Sequence, residues 1–590
     1  MIEQGTYEVI RTRLSAHGKT LAERAKQLNA RRIEVFGGLE MALLGSDRIR
    51  TENNCVPRDI VEAGEHLLFG YNVYIGLKTE TQVADVLSLH RIDDFAPVPP
   101  GAPENFLRDE NFVRDFRELY QYYKNSRLLQ LRRVDSRLLA VFQTSEKLTD
   151  IRVFRWNVGA DGKVTYIDNR GERDHVFPPR HDFEWIATTR EDYVDGKYPH
   201  VSVRDEVFVE TLHGDLTIKV EDNTESGRGI YSEPVDDPDQ SLDDAQIQYA
   251  VIAGTLILLR ILPYREKSWR HLVFNKRTKQ VRRIDAIGCA CIQLPEDHGI
   301  IFPGGYYLRT GDARLFDHDF EQMEFLRTIR SPNGEDVLYV FHRRDQGRTL
   351  LFPYNLIRRE VANPIDCHGY SLFRDGRMVI FAGHGSEPTR VHPMQIWRTP
   401  FASDEHVARA HKSDSYLSGI GNREVVRGLS SALAICRLIE EQTPTRGTYE
   451  DLVAAASRDI DAYHWLGHPE ADLLGALREV RAAAEQIIDE FEKVEALRAQ
   501  ATKSVADVER TLGEQRPEPA TIDDYVVQLG ELRSKQGHII SLRELRYVDR
   551  AKLDALEASV VQRFNDLSQR TVTFLLDEKA LAPFAAKTSA

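Results

Sequence analysis

Gly18-Lys19-Thr20 is the one Gly-Lys-Ser/Thr tripeptide in this sequence, so it is the first place to look for a nucleotide phosphate. A phosphate-cradling loop needs another glycine five residues earlier, on a strand-to-helix turn whose backbone N–H groups surround the phosphates. That position is Arg13. It lies in a stretch, residues 2–31, whose apolar spacing predicts a helix. No nucleotide-hydrolysis site is visible in the chain. The five cysteines offer little more. Cys289-x-Cys291 falls on a predicted strand, where both thiols would share a face, but metal sites need more ligands at suitable spacing. There is no Cys-x-x-Cys and no His-Glu-x-x-His, and Cys55, Cys367 and Cys436 are scattered, so buried free thiols are expected. Cys367-His368 imitates a thiolate pair, yet sequence neighbours rarely share a productive geometry. His464 and His468 are four apart, but Gly467 and Pro469 predict a turn rather than a helical metal pair. No catalytic residue and no metal ligand is assigned.

Two charged stretches remain. The acidic run 221–239, with Gly227-Arg228-Gly229 inside it, could meet a cation or a basic partner, or be a solvated loop; it does not reproduce an EF-hand loop. Basic and aromatic residues interleave in 264–271 and again in 275–283, as they do on nucleic-acid-binding surfaces. Arg265, Lys267, Trp269, Arg270, Lys276 and Arg277 are the candidate nucleic-acid contacts, and both stretches lie near one predicted hairpin, so they could form one patch. Solvent-facing strand ends are the plainer alternative.

Composition bounds these readings. The chain has 590 residues, 42% hydrophobic and 29% charged, and a net charge of −14. That length suits roughly three to five ordinary domains or fewer large ones. The acidic balance argues against a chain-wide nucleic-acid footprint. Few cysteines without framework spacing suggest a reducing cytosol rather than a disulfide-stapled secreted scaffold. The N-terminus carries acids early and lacks an apolar signal region, and the longest apolar run, 250–259, is too short for a membrane helix, so a cytoplasmic protein without a membrane partner is expected.

The elements that would carry these residues change period along the chain. Tyr7, Ile10, Leu14, Leu21 and Leu28 form a coiled-coil-like seam in the helix 2–31. From residue 32 to residue 397 the period is two: short runs rich in β-branched and aromatic residues recur. Turn signals such as Gly159–Gly162, Asn275-Lys276, Ser331–Gly334 and 374–376 separate them. One helical insertion, 111–123, stands out. Many short antiparallel strands imply a sandwich, a barrel or a propeller. About 370 residues exceed one sandwich and suit six or seven blades of about 50–60 residues, although no Trp-Asp dipeptide occurs. Two packed β domains are the alternative. After about residue 413 the helical period returns. Leu473, Leu477, Val480, Ala484, Ile487, Phe491, Val494, Ala501, Val505, Val508 and Leu512 define an arm of about 40 residues, or roughly 60 Å. Helices over 523–545 and 551–576 can fold back on it, and a helix over 423–441 leads in. The fold class is thus mainly β plus α: an N-terminal helix (1–31), a divergent β-propeller (32–412) and an antiparallel helical coiled-coil region (413–590).

Against this background Asn53-Asn54-Cys55-Val56-Pro57-Arg58-Asp59, followed by 69–78, resembles a bacterial family. So do the stretches 213–224, 302–307 and 392–397. The family is that of large DNA-repair ATPases, in which a domain of unknown function precedes an AAA-type ATPase module. The resemblance covers most of the propeller-like region and the start of the coiled coil. The family's Walker motifs have no counterpart here, so none of its catalytic residues is carried over. By the resemblance, this chain is a piece of a longer protein or a split version whose ATPase is a separate polypeptide. ATP and magnesium would be cofactors of that associated module, with none expected in this chain.

The resulting expectation is a non-catalytic recognition and regulatory scaffold that works with an AAA module in cis or in trans. It would bind a protein partner through the propeller face and could self-associate through the coiled coil. Residues 33–36 would pair with the last blade near 395–397 and close the ring. A DNA-binding module using the 264–283 patch, and a hydrolase with its site at the propeller centre, are the alternatives.

Overall fold

The computed structural model describes residues 4–38, 40–74, 80–211, 215–237, 245–382, 387–410, 414–440, 444–514 and 517–576. Residues 75–78 and 213–214 of the family-like stretches and residues 238–239 of the acidic run lie outside them. The chain divides into two compact units: residues 29–430, and residues 1–28 together with 431–590.

The 29–430 unit is built from antiparallel strands taken in chain order. The first are β1 (Ala42–Ala63), β2 (His66–Val73) and β3 (Leu87–Arg91). Next come β4 (Arg127–Val134), β5 (Arg137–Gln143), β6 (Ile151–Val158) and β7 (Val164–Asp168). A short strand β8 (Ile186–Ala187) precedes β9 (Tyr193–Val194), β10 (His200–Val203), β11 (Val207–Glu210), β12 (Asp215–Lys219) and β13 (Tyr231–Pro234). Then follow β14 (Gln246–Ile252), β15 (Leu256–Leu262), β16 (Arg270–Asn275) and β17 (Gln280–Arg283), with β8 joined to β14. β18 (Ile292–Gln293), β19 (Gly299–Phe302), β20 (Gly305–Leu308) and β21 (Ala313–Leu315) form one sheet. β22 (Glu324–Arg330), β23 (Asp336–Arg343), β24 (Arg348–Asn355) and β25 (Glu360–Val361) form another, with β26 (Ile365–Cys367) also on β24. The last strands are β27 (Tyr370–Leu372), β28 (Arg377–Phe381) and β29 (Thr389–Arg398).

The long strand β1 serves two groups. Its first part pairs with β29, with Leu43 opposite Trp397 and Ser46 opposite Gln395, while Cys55 to Ala63 pair with β2. Among the described residues the strands form six antiparallel sheets, and in the largest β1 joins β27–β29 to β2 and β3. The expected pairing of 33–36 with 395–397 is corrected: those residues end helix α1 (Gln4–Phe36), and residues 42–50 take their place. The helix runs on past residue 31 because Arg32, 1% exposed, is held by Glu335 at 2.6 Å and by Asn422 at 3.2 Å.

Apolar side chains knit neighbouring groups. Leu68 and Leu87 pack with Phe142 and Trp156; Val209 with Leu259; Ile252 with Phe302; Ile301 with Phe341; Val340 with Ile380. Interior strands such as β5 and β15 are apolar on both faces and buried, whereas outer strands such as β7 and β13 alternate toward solvent. The turns fall where glycine permits them: Gly334, at φ 73°, donates its N–H to the Ser331 carbonyl, and Gly376, at φ 86°, donates to Phe373. Helices α2 (Val83–Val86) and α3 (Glu110–Tyr122) cover the β1–β3 and β4–β7 groups, and α3 buries Phe112, Phe116 and Leu119. The expected insertion at 111–123 is this helix.

The second unit is helical. After α4 (Asp404–Ala410) and α5 (Tyr416–Ile420), the chain enters α6 (Asn422–Ile439), α7 (Arg446–Ala462), α8 (Leu474–Gly513), α9 (Ile522–Leu542) and α10 (Arg550–Leu575). The boundary between units falls within α1 and within α6. Leu477, Val480, Ala484, Ile487, Val494, Ala501, Val505, Val508 and Leu512 are buried along α8, on the seam that their spacing predicts. Val508 and Leu512 pack with Ile539 of α9 and with Leu553 and Val560 of α10. The start of α1 belongs to this unit: Tyr7 Oη lies 2.8 Å from Tyr449 Oη, and the Tyr7 ring stands edge-on to Phe491. No helix among the described residues is long and apolar enough to cross a membrane.

Candidate functional site

β-Bulges interrupt the pairing of three strands that meet at one cavity, skipping Arg58, Leu129 and Leu326. The pairing shifts between Pro57 and Asp59 on β1, between Leu128 and Gln130 on β4, and between Phe325 and Arg327 on β22. Bulges re-aim side chains in this way. Asp59, Arg132, Arg133, Arg327 and Tyr370 line one cavity of about 130 Å³, where β1, β4, β22 and β27 meet.

Asp59 accepts from the Leu131 N–H and from the Ile60 N–H, each at 2.9 Å. Burial pushes its carboxyl up to about 7, against the opposing pull of those N–H groups and of Arg327. Arg327 Nε donates to Tyr370 Oη at 2.6 Å, and its guanidinium lies 5.1 Å from the centre of that ring. Gly369 is held at φ 144° against Asp59, where a Cβ would stand 2.5 Å from the Asp59 Cα. The geometry places a buried carboxyl beside a guanidinium held by Tyr370, around a space for only a small polar group.

The segment from Glu172 to Ala187 passes beside this cavity and ties several groups together. Arg132 of β4 donates to the Val176 carbonyl at 3.1 Å. Arg344 stacks its guanidinium 3.8 Å from the centre of the Phe177 ring and pairs with Glu324. Arg180 also pairs with Glu324, at 2.6 Å, and its carbonyl accepts from Cys291 N–H. Asp182 accepts from the Gln293 N–H, and Ile186 pairs with Tyr249. His342 and His175 sit here in their neutral form. Burial, reinforced by neighbouring arginines, lowers His342 to about 3 and His175 to about 4.

Cys55, Cys291, Cys367 and Cys436 are buried free thiols, and Cys289 is half-buried. Burial raises Cys55 to about 11 and Cys367 to about 12, so neither is an activated nucleophile at neutral pH. Cys55 Sγ does lie 3.2 Å from His392 Nε2, but burial lowers that histidine to about 4, so the pair is neutral. The expected common strand for Cys289 and Cys291 is corrected. Cys289 follows a 3-10 turn, Asp285–Gly288, and Cys291 makes an isolated bridge to His181, because the chain bends there to meet the crossing segment. His464 lies in a 3-10 turn, His464–Gly467. Among the described residues no group of three or more His, Cys, Asp or Glu side chains converges as a metal site would require.

The basic stretch is divided by the fold. Arg265, Lys267 and Trp269 precede β16, whereas Lys276 and Arg277 follow it, so the two clusters stand at opposite ends of a six-residue strand, about 20 Å apart. The candidate residues are thus divided between the two ends of that strand. Arg270 is 6% exposed, with Nη1 2.9 Å from Glu233 and Nη2 2.5 Å from Glu266. Arg265 pairs with Asp237 and Lys276 with Glu206, while Trp269 is covered by the Arg260 guanidinium at 4.2 Å. Lys267 is exposed. In the acidic run, Asp222 accepts from His200 and Glu233 is taken by Arg270 and Arg283.

Gly18-Lys19-Thr20 lies in the middle of α1. Gly18 is buried, and a Cβ there would stand 3.0 Å from Ile439 of α6, while Lys19 points to solvent. The glycine permits two helices to approach closely.

The strands and helices together define a mixed β/α protein: many antiparallel sheets followed by a helical region. The chain belongs to the family described as ATPase involved in DNA repair, whose model matches residues 20–464. Solved structures are similar only loosely. A prolyl endopeptidase is 10% identical over 63% of this chain and 51% of its own, with a TM-score of 0.18. Prolyl oligopeptidase B from Galerina marginata is 8% identical over 66% and 56%, with a TM-score of 0.17. A post-proline cleaving enzyme from Rickettsia typhi is 8% identical over 67% and 57%, with a TM-score of 0.20. This chain thus spans about half the length of the first of these enzymes, and nothing of their chemistry is transferred to it. No curated protein matches the chain.

Proposed function

We propose that this chain is a non-catalytic recognition and regulatory module of an AAA-type ATPase. The observation that carries the reading is the position of Gly18: the sole Gly-Lys-Thr tripeptide is a helix-packing element, in a chain whose family is described by ATPase activity. Motor activity then comes from an AAA module, in cis or in trans, that binds ATP and magnesium. The six antiparallel sheets, the largest joined through β1, support a divergent β-propeller of six or seven blades. Its face offers a rigid platform for a protein partner. The helices α8 to α10 act as an antiparallel coiled-coil arm and supply a surface for self-association. The module works in the cytoplasm.

The test is biochemical. The purified chain, mixed with magnesium and ATP, should release phosphate at the background rate. Adding an AAA-type ATPase polypeptide of the same family should give a co-eluting complex with an altered ATPase rate. Hydrolysis by the chain alone, or no complex, contradicts the proposal.

A further inference from the structure

Arg58 is the residue that the β1 bulge leaves without a partner across the sheet. It is 6% exposed, yet among the described residues no carboxylate forms an ion pair with it. Its Nη2 donates to the Asp345 carbonyl at 2.9 Å and its Nη1 to the Arg344 carbonyl at 3.5 Å, while Nε has no partner. The side chain of Asp345, on the facing turn, accepts from Arg343 Nε instead. Gly347 brings that turn against Arg58: a Cβ there would stand 2.6 Å from the arginine Cδ.

A second guanidinium lines the same cleft as Arg58. Arg127, exposed at the start of β4, is the leading charge that acts with burial to pull Arg58 down to about 10. The cleft measures about 2150 Å³, and the β1–β3 and β4–β7 groups share it with the turn at 345–348 and with Asp366 and His368. The other arginine at this end, Arg348, is already held by Asp366 at 2.6 Å. Farther along, Val98, Leu107 and Phe116 give the cleft an apolar wall.

A buried guanidinium with a free N–H and a like charge beside it is costly unless an anion meets it. A planar fork of donors matches an oxyanion in particular. We propose that this end of the cleft binds an oxyanion, the phosphate or carboxylate group of a small ligand, with Arg58 and Arg127 as its cationic contacts. The apolar wall would take the body of that ligand.

The test uses the full chain, with inorganic phosphate as the probe and sodium chloride at matched ionic strength as the control. Phosphate should raise the midpoint of thermal unfolding saturably, beyond the effect of chloride. Arg127→Met should weaken the apparent phosphate affinity by about tenfold or more, since one of two charge-assisted contacts is lost. Arg58→Met, which keeps the aliphatic packing, should do the same. Sodium acetate separates the sources: a smaller rise marks a phosphate ligand, and an equal rise marks a site for either anion. Phosphate acting no more than chloride would overturn the proposal, as would wild-type affinity in Arg127→Met. Should Arg58→Met fail to fold, the Arg127→Met titration alone decides.

Discussion

Leu43, near the start of the first strand, is the antiparallel register partner of Trp397, near the end of the last. This pairing covers the edge of β29 with residues 42–50, and an uncovered edge invites association with other chains. Deleting residues 42–50 should therefore produce aggregation on light scattering and a broadened unfolding transition. A monomeric deletion variant that unfolds cooperatively would show that the closure is dispensable.

The role of Gly18 separates packing from nucleotide chemistry. Gly18→Val drives a branched side chain into Ile439 and should destabilise the helical unit by about 1–3 kcal/mol. Lys19→Ala removes an exposed side chain and should leave both stability and ATP binding unchanged. A fall in ATP affinity in Lys19→Ala, measured by calorimetry, would restore the phosphate-loop reading.

Much of the strand region is legible in the sequence because its signals are local. Alternating and continuous apolar runs mark the strands, and Gly162, Gly334 and Gly376 mark turns that only local backbone geometry dictates. The seam of α8 is legible for the same reason. Residues 33–36 mislead: Ile33, Val35 and Phe36 favour a strand, but Arg32 is anchored to Glu335, about 300 positions away, and the helix continues. Helix α7 escapes notice because Ala455 and Ala456 on its buried face give little hydrophobic contrast. The cavity around Asp59 is hidden more deeply. Arg58 and Asp59 stand inside the motif that carries the family resemblance, but their placement depends on a bulge and on strands β4, β22 and β27, far along the chain. Arg132 and Arg327 stand in strands of mixed polar and apolar residues, so their charge alone does not mark them.

Arg270 and Arg265 should behave oppositely when reversed in charge. Arg270→Glu would bury a third acid beside Glu233 and Glu266 and should cost about 3–5 kcal/mol. Arg265→Glu and Lys267→Glu, at exposed positions, should be tolerated within about 0.5 kcal/mol. Chemical denaturation of each variant checks this, and nucleic-acid binding lost in the stable pair would revive the basic-patch reading.

Asp459 gives the helical unit a pH dependence of known sign. It is 3% exposed, accepts from Ser431 Oγ at 2.6 Å, and burial raises its carboxyl from 3.8 to about 6. Between these values the folded protein keeps a proton that the unfolded chain releases. Its contribution is therefore full below about pH 4, declines as pH rises, and is gone above about pH 6. Asp459→Asn keeps the acceptor without the charge and should stabilise the protein at pH 7.5 by on the order of 2–3 kcal/mol, with little change at pH 4. An equal effect at both values would contradict the burial argument.

The most direct measurement of the proposed role is magnesium-dependent ATP turnover by the purified chain, with and without an AAA-type ATPase polypeptide of its family. The chain alone should give no turnover above background, and its addition should change the rate of the ATPase in a saturable, stoichiometric way. Turnover by the chain alone, or an ATPase indifferent to its presence, would contradict the account.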